Sequence, residues 1–213
     1  MSDAFSSAAA LTVCIDFKSP LAYLAKDPSY LLHQQFAIDI DWQPLLTSPI
    51  PLPQTASKGD DRGTRHRRYR AESATRDILR YAEIRNLKVD DIHTTADSSL
   101  AGIALLWVKQ QAAEIQHRYI DLVFAGFWDG RLDIESQQAI TALLQGCGAA
   151  TEGLAGFIEG VGRTQFDQLQ IELRQAGVFS VPAYLIQDEI FYGRQHLPMI
   201  SWILSGRQGQ API

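Results

Sequence analysis

The sequence predicts an α/β domain whose single sheet is divided into two halves by a long helical insertion. Residues 11–42 show a strand, helix, strand pattern, and residues 163–213 show a helix, strand, strand, helix pattern. Between these ends the apolar residues recur at helical spacing. Because the hydrophobic period changes from alternating to helical and back again, both ends of the chain are expected to complete one sheet.

The front half begins with the β-branched and apolar run 11–17, which predicts a buried strand. Ser19 and Pro20 then favour the start of a helix, because a serine hydroxyl accepts from free backbone N–H groups and proline tolerates the first helical position. Asp27-Pro28 predicts a kink or a second short helix. The alternating residues 36–42 predict a half-buried strand, which completes a βαβ unit.

A proline-rich loop after Pro44 predicts that the chain leaves the first half there and enters an insertion at residues 46–162. Apolar positions at helical spacing predict the helices of this insertion. They are expected at about 64–86, 98–111, 113–128, 135–144 and 151–158.

The back half starts with a helix predicted at 164–175, with Thr164 as its cap. Two short apolar runs around Gln187-Asp188 predict a hairpin, and residues 197–204 predict a last helix. Residues 1–45 and 163–213 are therefore assigned to one domain in two halves, and residues 46–162 to a helical insertion subdomain. This order is typical of a thioredoxin-like fold with a large α-helical insertion.

Composition excludes several classes of protein. A net charge of -5 argues against a general nucleic-acid binder, and no apolar stretch approaches the roughly 20 residues of a membrane span. No basic residue precedes an apolar run near the N-terminus, so no secretory signal is predicted and a cytoplasmic location is expected. Cys14 and Cys147 are far apart, which predicts buried small hydrophobes and no disulfide framework or metal site.

Three parts of the chain carry a resemblance to a known group of proteins. They are residues 16–24 (DFKSPLAYL), residues 124–131 (FAGFWDGR), and residues 177–184 (GVFSVPAY) together with 190–193 (IFYG). On these segments the chain resembles the thioredoxin-fold group that contains DsbA, 2-hydroxychromene-2-carboxylate isomerase and the kappa-class glutathione transferases. The isomerase is the member it resembles most.

The resemblance gives the Ser19 turn a chemical meaning. Ser19 and Ala22 stand where redox relatives carry the two cysteines of Cys-x-x-Cys, so dithiol exchange at this turn is not expected. The resemblance implies instead that glutathione binds at Ser19 and Pro20, where the serine hydroxyl donates to the glutathione sulfur and keeps it as a thiolate. From the residue types alone, Ser19 could equally be only a helix cap.

Near the C-terminus the resemblance implies further contacts with glutathione. Val181-Pro182 matches the position of a cis-proline, and Val181 would bind glutathione through its main chain. From the residues alone, a trans proline at the start of a strand is equally compatible. Gln195 and His196 follow the last strand where many relatives carry Asp-Arg, so Gln195 could accept a hydrogen bond but supplies no charge.

Residues 58–80 form a basic run that includes Lys58. Arg62, Arg65 and Arg68 are candidates for holding a substrate carboxylate through a bidentate contact. A solvated helix face is the alternative interpretation of the same run. His66 and His196 are possible acid-base groups, although an exposed histidine without a catalytic role fits each position as well.

The function implied by the resemblance is that of a glutathione-dependent isomerase or transferase acting on a small unsaturated or aromatic carboxylate. Its catalytic residue would be Ser19, its cofactor glutathione, and its assembly a homodimer, with no nucleic-acid or membrane partner. Two alternatives remain open. One is a DsbA-family oxidoreductase that lacks Cys-x-x-Cys, and the other is a non-catalytic binding protein of the same fold.

Overall fold

A mixed sheet joins the two ends of the chain, as the sequence predicts. The computed structural model describes residues 9–212 except Pro53, Gln54, Ala56 and Lys58. The strands formed by these residues are β1 (Leu11–Ile15), β2 (Ile40–Pro44), β3 (Ala183–Ile186) and β4 (Glu189–Tyr192), in the order β2-β1-β3-β4. β1 pairs with β2 in parallel, whereas β3 is antiparallel to both β1 and β4. The thioredoxin-like fold is thereby confirmed.

Helices cover the sheet and fill the insertion. In chain order they are α1 (Pro20–Phe36), α2 (Arg62–Ile84), α3 (Ser99–Val108), α4 (Ala113–Trp128), α5 (Gln137–Gly146), α6 (Leu154–Glu159), α7 (Val161–Gln175) and α8 (Leu197–Leu204). A 3-10 turn, Arg194–His196, precedes α8. The predicted helices agree with these bounds to within a few residues at each end.

Helix α1 differs from its prediction in two ways. It continues through Pro28 to Phe36, so no second short helix forms. Pro28 has no N–H for the carbonyl of Leu24, and the guanidinium of Arg85 donates to that oxygen instead. The strand predicted at 36–42 begins only at Ile40, because Phe36 belongs to the last turn of α1 and Ala37 takes a left-handed φ of 49° that ends the helix.

Helix α7 also starts earlier than predicted. Its N-cap is Gly160, and Thr164 lies inside the first turn, so the prediction that Thr164 caps this helix is wrong. The Thr164 hydroxyl donates back to the carbonyl of Gly160 at 3.4 Å, which is a contact that a threonine one turn into a helix makes readily.

Aromatic side chains pack α4 under the turn between β1 and α1. The Phe17 ring lies 5.0 Å from that of Phe124, and Tyr23 stacks on Phe124 at 5.3 Å between ring centroids. The indole N–H of Trp128 donates to the carbonyl of Phe17 at 3.1 Å. A buried aromatic cluster therefore packs against the turn that carries Ser19 and restricts its backbone.

One hydrophobic core contains residues of the sheet, of the inserted helices α3 to α6 and of α7. The division into 1–45 with 163–213 and an insertion at 46–162 stays a prediction, and residues 1–8 of its first part lie outside the described residues. No helix of the described part of the chain is long and apolar enough to cross a membrane. In the same residues, no group of three or more His, Cys, Asp or Glu side chains could hold a metal ion.

Both cysteines are buried and free, as predicted. Cys14 lies in β1 with no exposed surface, and burial raises the pKa of its thiol to about 12. Burial raises the pKa of the Cys147 thiol as well. A buried thiol with a raised pKa is a poor nucleophile, so neither cysteine replaces the thiol that is missing at Ser19.

Candidate functional site

Ser19 is the N-cap of α1. Its backbone is extended, with φ -91° and ψ 115°, and its Oγ accepts from the N–H of Ala22 at 3.3 Å. The Ser19 N–H donates to the carbonyl of Asp16 at 2.9 Å, and the side chain is largely buried, at 9% exposure. Its own hydroxyl proton meets no acceptor in the described part of the chain. The predicted cap is confirmed, and the hydroxyl keeps one hydrogen-bond donor for a ligand.

The first turn of α1 favours an anion beside Ser19. Pro20 at the first helical position brings no N–H, and no acidic residue stands in this turn. The N–H of Leu21 has no partner among the described residues, and Leu21 is partly exposed. Free N–H groups at a helix start carry partial positive charge, so a thiolate or carboxylate placed here would be stabilised.

The peptide bond between Val181 and Pro182 is cis, as the resemblance implies. Ala183, the first residue of β3, pairs with Cys14, so Pro182 precedes β3 at the end of β1 from which the Ser19 turn departs. Within the described residues, neither the N–H nor the C=O of Val181 has a protein partner. The register therefore brings an unpaired donor and acceptor to the same sheet edge as Ser19.

Strand β4 lies beside β3 on the side away from β1, and the turn after β4 is at the same end of the sheet as the Ser19 turn. The N–H of Gly193 donates to the carbonyl of Pro182 at 2.8 Å, and Gly193 adopts a φ of 89°. The Gln195 amide donates to the carbonyl of Tyr192 at 2.8 Å, and its side chain covers the place that a Cβ on Gly193 would take. Gln195 is thus folded onto its own turn. The half-buried His196 ring lies 5.7 Å from that of Phe191.

Asp16 organises the backbone around Ser19, a role that the sequence did not indicate. Its buried carboxylate accepts from Thr47 through both the N–H and the hydroxyl, each at 2.8 Å. It also accepts from the Ser98 hydroxyl at 2.5 Å and from the N–H of Lys18 at 3.2 Å. One carboxylate therefore ties the loop after β2 and the start of α3 to the turn before Ser19.

Lys18 places a cation next to this turn. Its side chain is 10% exposed, and its Nζ lies 3.7 Å from the Asp16 carboxylate. The sequence shows two charged residues directly after an apolar run, but it does not show that both are largely buried. Their partners Thr47 and Ser98 are distant in the chain and left no such signal.

The arginines proposed as substrate contacts lie along the exposed first half of α2. Arg68 pairs with Asp60 at 2.5 Å, and Arg62 and Arg65 line a surface depression of about 580 Å³. All the residues that line this depression come from α2. No described contact joins these arginines to the Ser19 turn, so their role stays a prediction. Lys58, at the start of the basic run, lies outside the described residues.

Helix α2 meets α1 through its second half. Ile78 and Ala82 pack with Leu24 in a small separate cluster. At 1.5 Å per residue, Arg62 lies about 24 Å along the helix from Ile78. The first half of α2 therefore extends well beyond its contact with α1.

Comparison with known proteins agrees with this geometry. The family described as DSBA-like thioredoxin domain matches residues 10–204. A search of curated proteins gave no significant match. Because the family match covers most of the chain, it includes the Ser19 turn, the inserted helices and the Val181-Pro182 segment.

Several solved structures share the fold. A 2-hydroxychromene-2-carboxylate isomerase aligns with a TM-score of 0.66 and 20% identity, over 92% of this chain and 94% of the isomerase. The cytosolic disulfide reductase DsbM from Pseudomonas aeruginosa, solved with GSH, gives 0.59 and 16% identity, over 93% and 98%. The thiol-disulfide exchange protein alpha-DsbA2 from Wolbachia pipientis gives 0.52 and 12%, over 96% and 84%.

These identities are low, and the likeness to the three structures is one of fold. The recognition of the DsbA and isomerase group from residues 16–24, 124–131, 177–184 and 190–193 is confirmed. With a family match from residue 10 to residue 204, the chain belongs to the DSBA-like thioredoxin domain family.

Proposed function

We propose that this protein is a glutathione-dependent isomerase or transferase, similar to 2-hydroxychromene-2-carboxylate isomerase, that acts on a small unsaturated or aromatic carboxylate. The observation that carries the proposal is the Ser19 hydroxyl, which accepts from Ala22 and keeps its own proton without an acceptor in the described residues. The isomerase of the same fold and the reductase solved with GSH add support by likeness.

The residues present fit a bound thiolate. The Ser19 hydroxyl can donate a hydrogen bond to sulfur, and the N–H of Leu21 adds the partial positive charge of the helix start. Lys18 lies beside this turn, but the Asp16 carboxylate at 3.7 Å balances its charge, so the Ser19 hydroxyl and the Leu21 N–H are the groups that favour an anion. The unpaired N–H and C=O of Val181 suit the backbone of a peptide ligand that pairs as an extra strand.

Bound glutathione would supply a thiolate that adds reversibly to a conjugated double bond, allows rotation about the resulting single bond, and leaves on elimination. The chain's own part is to keep the sulfur ionised and in place. Ser19 does so by donating a hydrogen bond from its hydroxyl to the sulfur, and the aromatic cluster beneath it keeps the turn fixed. Asp16 holds the adjoining loop and the start of α3 against that turn.

The dithiol oxidoreductase alternative lacks its reactive groups. Ser19 and Ala22 carry no thiol, and Cys14 is buried with a pKa raised to about 12. A non-catalytic binding protein is favoured by one specific observation. Gln195, which the resemblance places against the amino end of glutathione, donates to Tyr192 of its own turn and supplies no charge.

An isomerisation assay tests the proposal. Purified protein is added to 2-hydroxychromene-2-carboxylate, and the change in its absorbance is followed with and without millimolar glutathione. We expect a rate that depends on glutathione and falls by about 10²-fold or more in Ser19→Ala, the usual cost of removing one hydrogen-bond donor to a reacting anion.

Ser136→Ala is the matched control. Ser136 caps α5 by accepting from Ala139 at 3.3 Å, the same contact that Ser19 makes with Ala22. We expect this variant to keep full activity. A rate that is independent of glutathione, or equal losses in the two variants, would contradict the proposal, whereas reduction of insulin disulfides would support the oxidoreductase alternative.

The homodimer and the cytoplasmic location expected from the sequence stay predictions. Sedimentation velocity of the purified protein tests the first, with a dimer-sized species as the expected result and a monomer at micromolar concentration as the contrary one. Fractionation of the source cells tests the second.

A further inference from the structure

Helix α2 carries exposed arginines that have no ionic partner. The helix contacts α1 through Ile78 and Ala82, and its exposed surface lies away from that contact. With seven arginines and three acidic residues, α2 has a net charge of +4, so the rest of the chain carries -9. Four of these arginines are exposed and form no ion pair with the described residues: Arg62, Arg65, Arg70 and Arg76.

Large apolar side chains are exposed on the same helix. Tyr69 is 58% exposed and Ile84 is 70% exposed. Together with the four unpaired arginines they define the outer face of α2. Interfaces between proteins are rich in arginine and in aromatic side chains, whereas a polyanion such as a nucleic acid would be repelled by the charge of -9 on the rest of the chain. The outer face of α2 therefore suits an acidic protein surface.

An acidic patch of matching charge is built from residues 88–97 and 129–135. These two segments contain six carboxylates and two cations, which gives a net charge of -4. The ammonium of Lys88 donates to the carbonyl of Asp129 at 3.1 Å, which holds the two segments side by side. A second link between them is the N–H of Asp97, which donates to the Glu135 carboxylate at 2.7 Å.

Most carboxylates of the acidic patch also lack an ionic partner. Its two cations, Lys88 and Arg131, pair with Asp90 and Asp129. The other four carboxylates are exposed and form no ion pair in the part of the chain that the structure describes. They are Asp91, Asp97, Asp133 and Glu135. One chain thus presents four unpaired cations on the outer face of α2 and four unpaired anions on the acidic patch.

Two copies of the chain can satisfy both surfaces at once. In a dimer with two-fold symmetry, each contact between two different surfaces forms twice. Arg62 lies about 24 Å along α2 from Ile78, so the first half of the helix extends beyond its contact with α1 and is open to a second chain. The acidic patch of each copy can then receive the outer face of α2 from the other.

We propose that the outer face of α2 binds the acidic patch of a second copy of this chain, and that the contact is reciprocal. The inference does not depend on the ligand at Ser19, and it assigns a surface to the homodimer that the resemblance implies. Because salt screens exposed ion pairs, we expect the unchanged protein to dimerise at least about tenfold more weakly at about 0.5 M salt than at about 0.05 M.

Charge reversal on each surface tests the inference, with sedimentation velocity as the measurement. Arg70→Glu combined with Arg76→Glu reverses charge on α2, and Asp133→Lys combined with Glu135→Lys reverses charge on the patch. We expect each double variant to dimerise at least about tenfold more weakly than the unchanged protein, because like charges then face each other. Circular dichroism checks that each variant is folded.

Glu152→Lys combined with Glu159→Lys is the matched control. Both carboxylates are exposed and form no ion pair with the described residues, but they lie outside the acidic patch. This variant receives the same change in net charge as the patch variant. We expect it to dimerise like the unchanged protein.

An equimolar mixture of the two reversed variants gives the sharpest result. In a mixed pair the reversed helix contacts the reversed patch, and the unchanged helix contacts the unchanged patch, so both contacts are attractive. The mixture should therefore recover the dimer that each variant alone has lost.

The inference would be overturned by an unchanged protein that is monomeric at about 50 μM or whose dimer is insensitive to salt. It would also be overturned if either reversed variant dimerised like the unchanged protein, if the control lost its dimer equally, or if the mixture stayed monomeric. Titration of the unchanged protein with glutathione decides the proposed function separately, so either result leaves the other proposal standing.

Discussion

Helices α1 and α2 begin with the same capping contact but in very different surroundings. Ser19 accepts from Ala22 at 3.3 Å, and Asp61 accepts from Thr64 at 2.6 Å. The first turns of α1 bury Ala22, Tyr23 and Leu24, and Ser19 is 9% exposed. Residues 62–77 of α2, all of them described, include no buried side chain.

The difference shows that a capped helix start is not by itself a binding site. Asp61 brings its own negative charge to the start of α2, and hydrogen bonds from Thr64 lower the pKa of its carboxyl group. The cap of α1 is neutral, so its positive end stays available to a ligand. Around it β1, the Val181-Pro182 segment and the Asp16 contacts come together, whereas no comparable group surrounds the start of α2.

The largest effect expected from this contrast is the loss of Asp16. Asp16→Ala leaves the N–H and hydroxyl of Thr47 and the hydroxyl of Ser98 without their acceptor. We expect a loss of about 3–5 kcal/mol in the free energy of unfolding, as for other buried charges removed from their partners. Urea unfolding followed by circular dichroism measures it.

Asp61→Ala is the comparison for that measurement, since it removes a carboxylate from the exposed helix start. A much smaller loss is expected, because water can replace the exposed cap. Similar losses of unfolding free energy in Asp16→Ala and Asp61→Ala would contradict the view that, of these two helix starts, only that of α1 is packed into the core.

The next effect concerns the half of α2 that does contact α1. Arg85 donates to the carbonyl that Pro28 leaves unpaired and forms an ion pair with Asp27 at 2.5 Å. We expect Arg85→Gln to lower the free energy of unfolding by about 1–3 kcal/mol. Arg76→Gln, in the exposed half, should change it by less than about 0.5 kcal/mol.

A double-mutant cycle isolates the contact with Leu24. In Pro28→Ala the new N–H can bond the Leu24 carbonyl within the helix, so the Arg85→Gln loss should be smaller in that background. An Arg85→Gln loss of the same size with and without Pro28 would mean that the ion pair with Asp27 accounts for the whole effect.

A smaller effect distinguishes the capping role of the Ser19 hydroxyl from its proposed binding role. Ser19→Ala and Ser136→Ala each remove a side-chain acceptor from a helix start with the same geometry. Each should cost about 1 kcal/mol of unfolding free energy in thermal or urea unfolding. A Ser19→Ala loss several times larger would show that the hydroxyl has a structural partner beyond Ala22.

The smallest effect is expected at the exposed arginines. Arg65→Gln should change the affinity for glutathione by less than about twofold, because no described contact joins this half of α2 to the Ser19 turn. The same titration with Ser19→Ala gives the size of loss expected for a residue that contacts the ligand. A tenfold loss in Arg65→Gln would restore the proposal that the α2 arginines hold the ligand.

Much of the fold could be predicted because it depends on local patterns. The βαβ and αββα ends, the inserted helices and the Ser19 cap all follow from residue spacing and from the chemistry of serine and proline at a helix start. The predicted start of β2 is wrong. The alternation of apolar and polar residues at 36–42 fits both a strand and the last turn of α1, and no glycine marks the end of α1 at Ala37.

The contacts that define the site could not be predicted in the same way. Asp16 contacts Ser98 and Thr47 across long stretches of chain. Such pairs leave no periodic signal in one sequence. The cis bond before Pro182 was expected only through the resemblance, since most bonds before proline are trans.

The most direct test of the central claim is a calorimetric titration of the protein with glutathione, repeated in Ser19→Ala and in Ser136→Ala. We expect saturable binding that is lost or weakened at least tenfold in Ser19→Ala and unchanged in Ser136→Ala. No heat of binding at millimolar glutathione, or equal affinity in all three proteins, would contradict the claim that the start of α1 is a thiolate site.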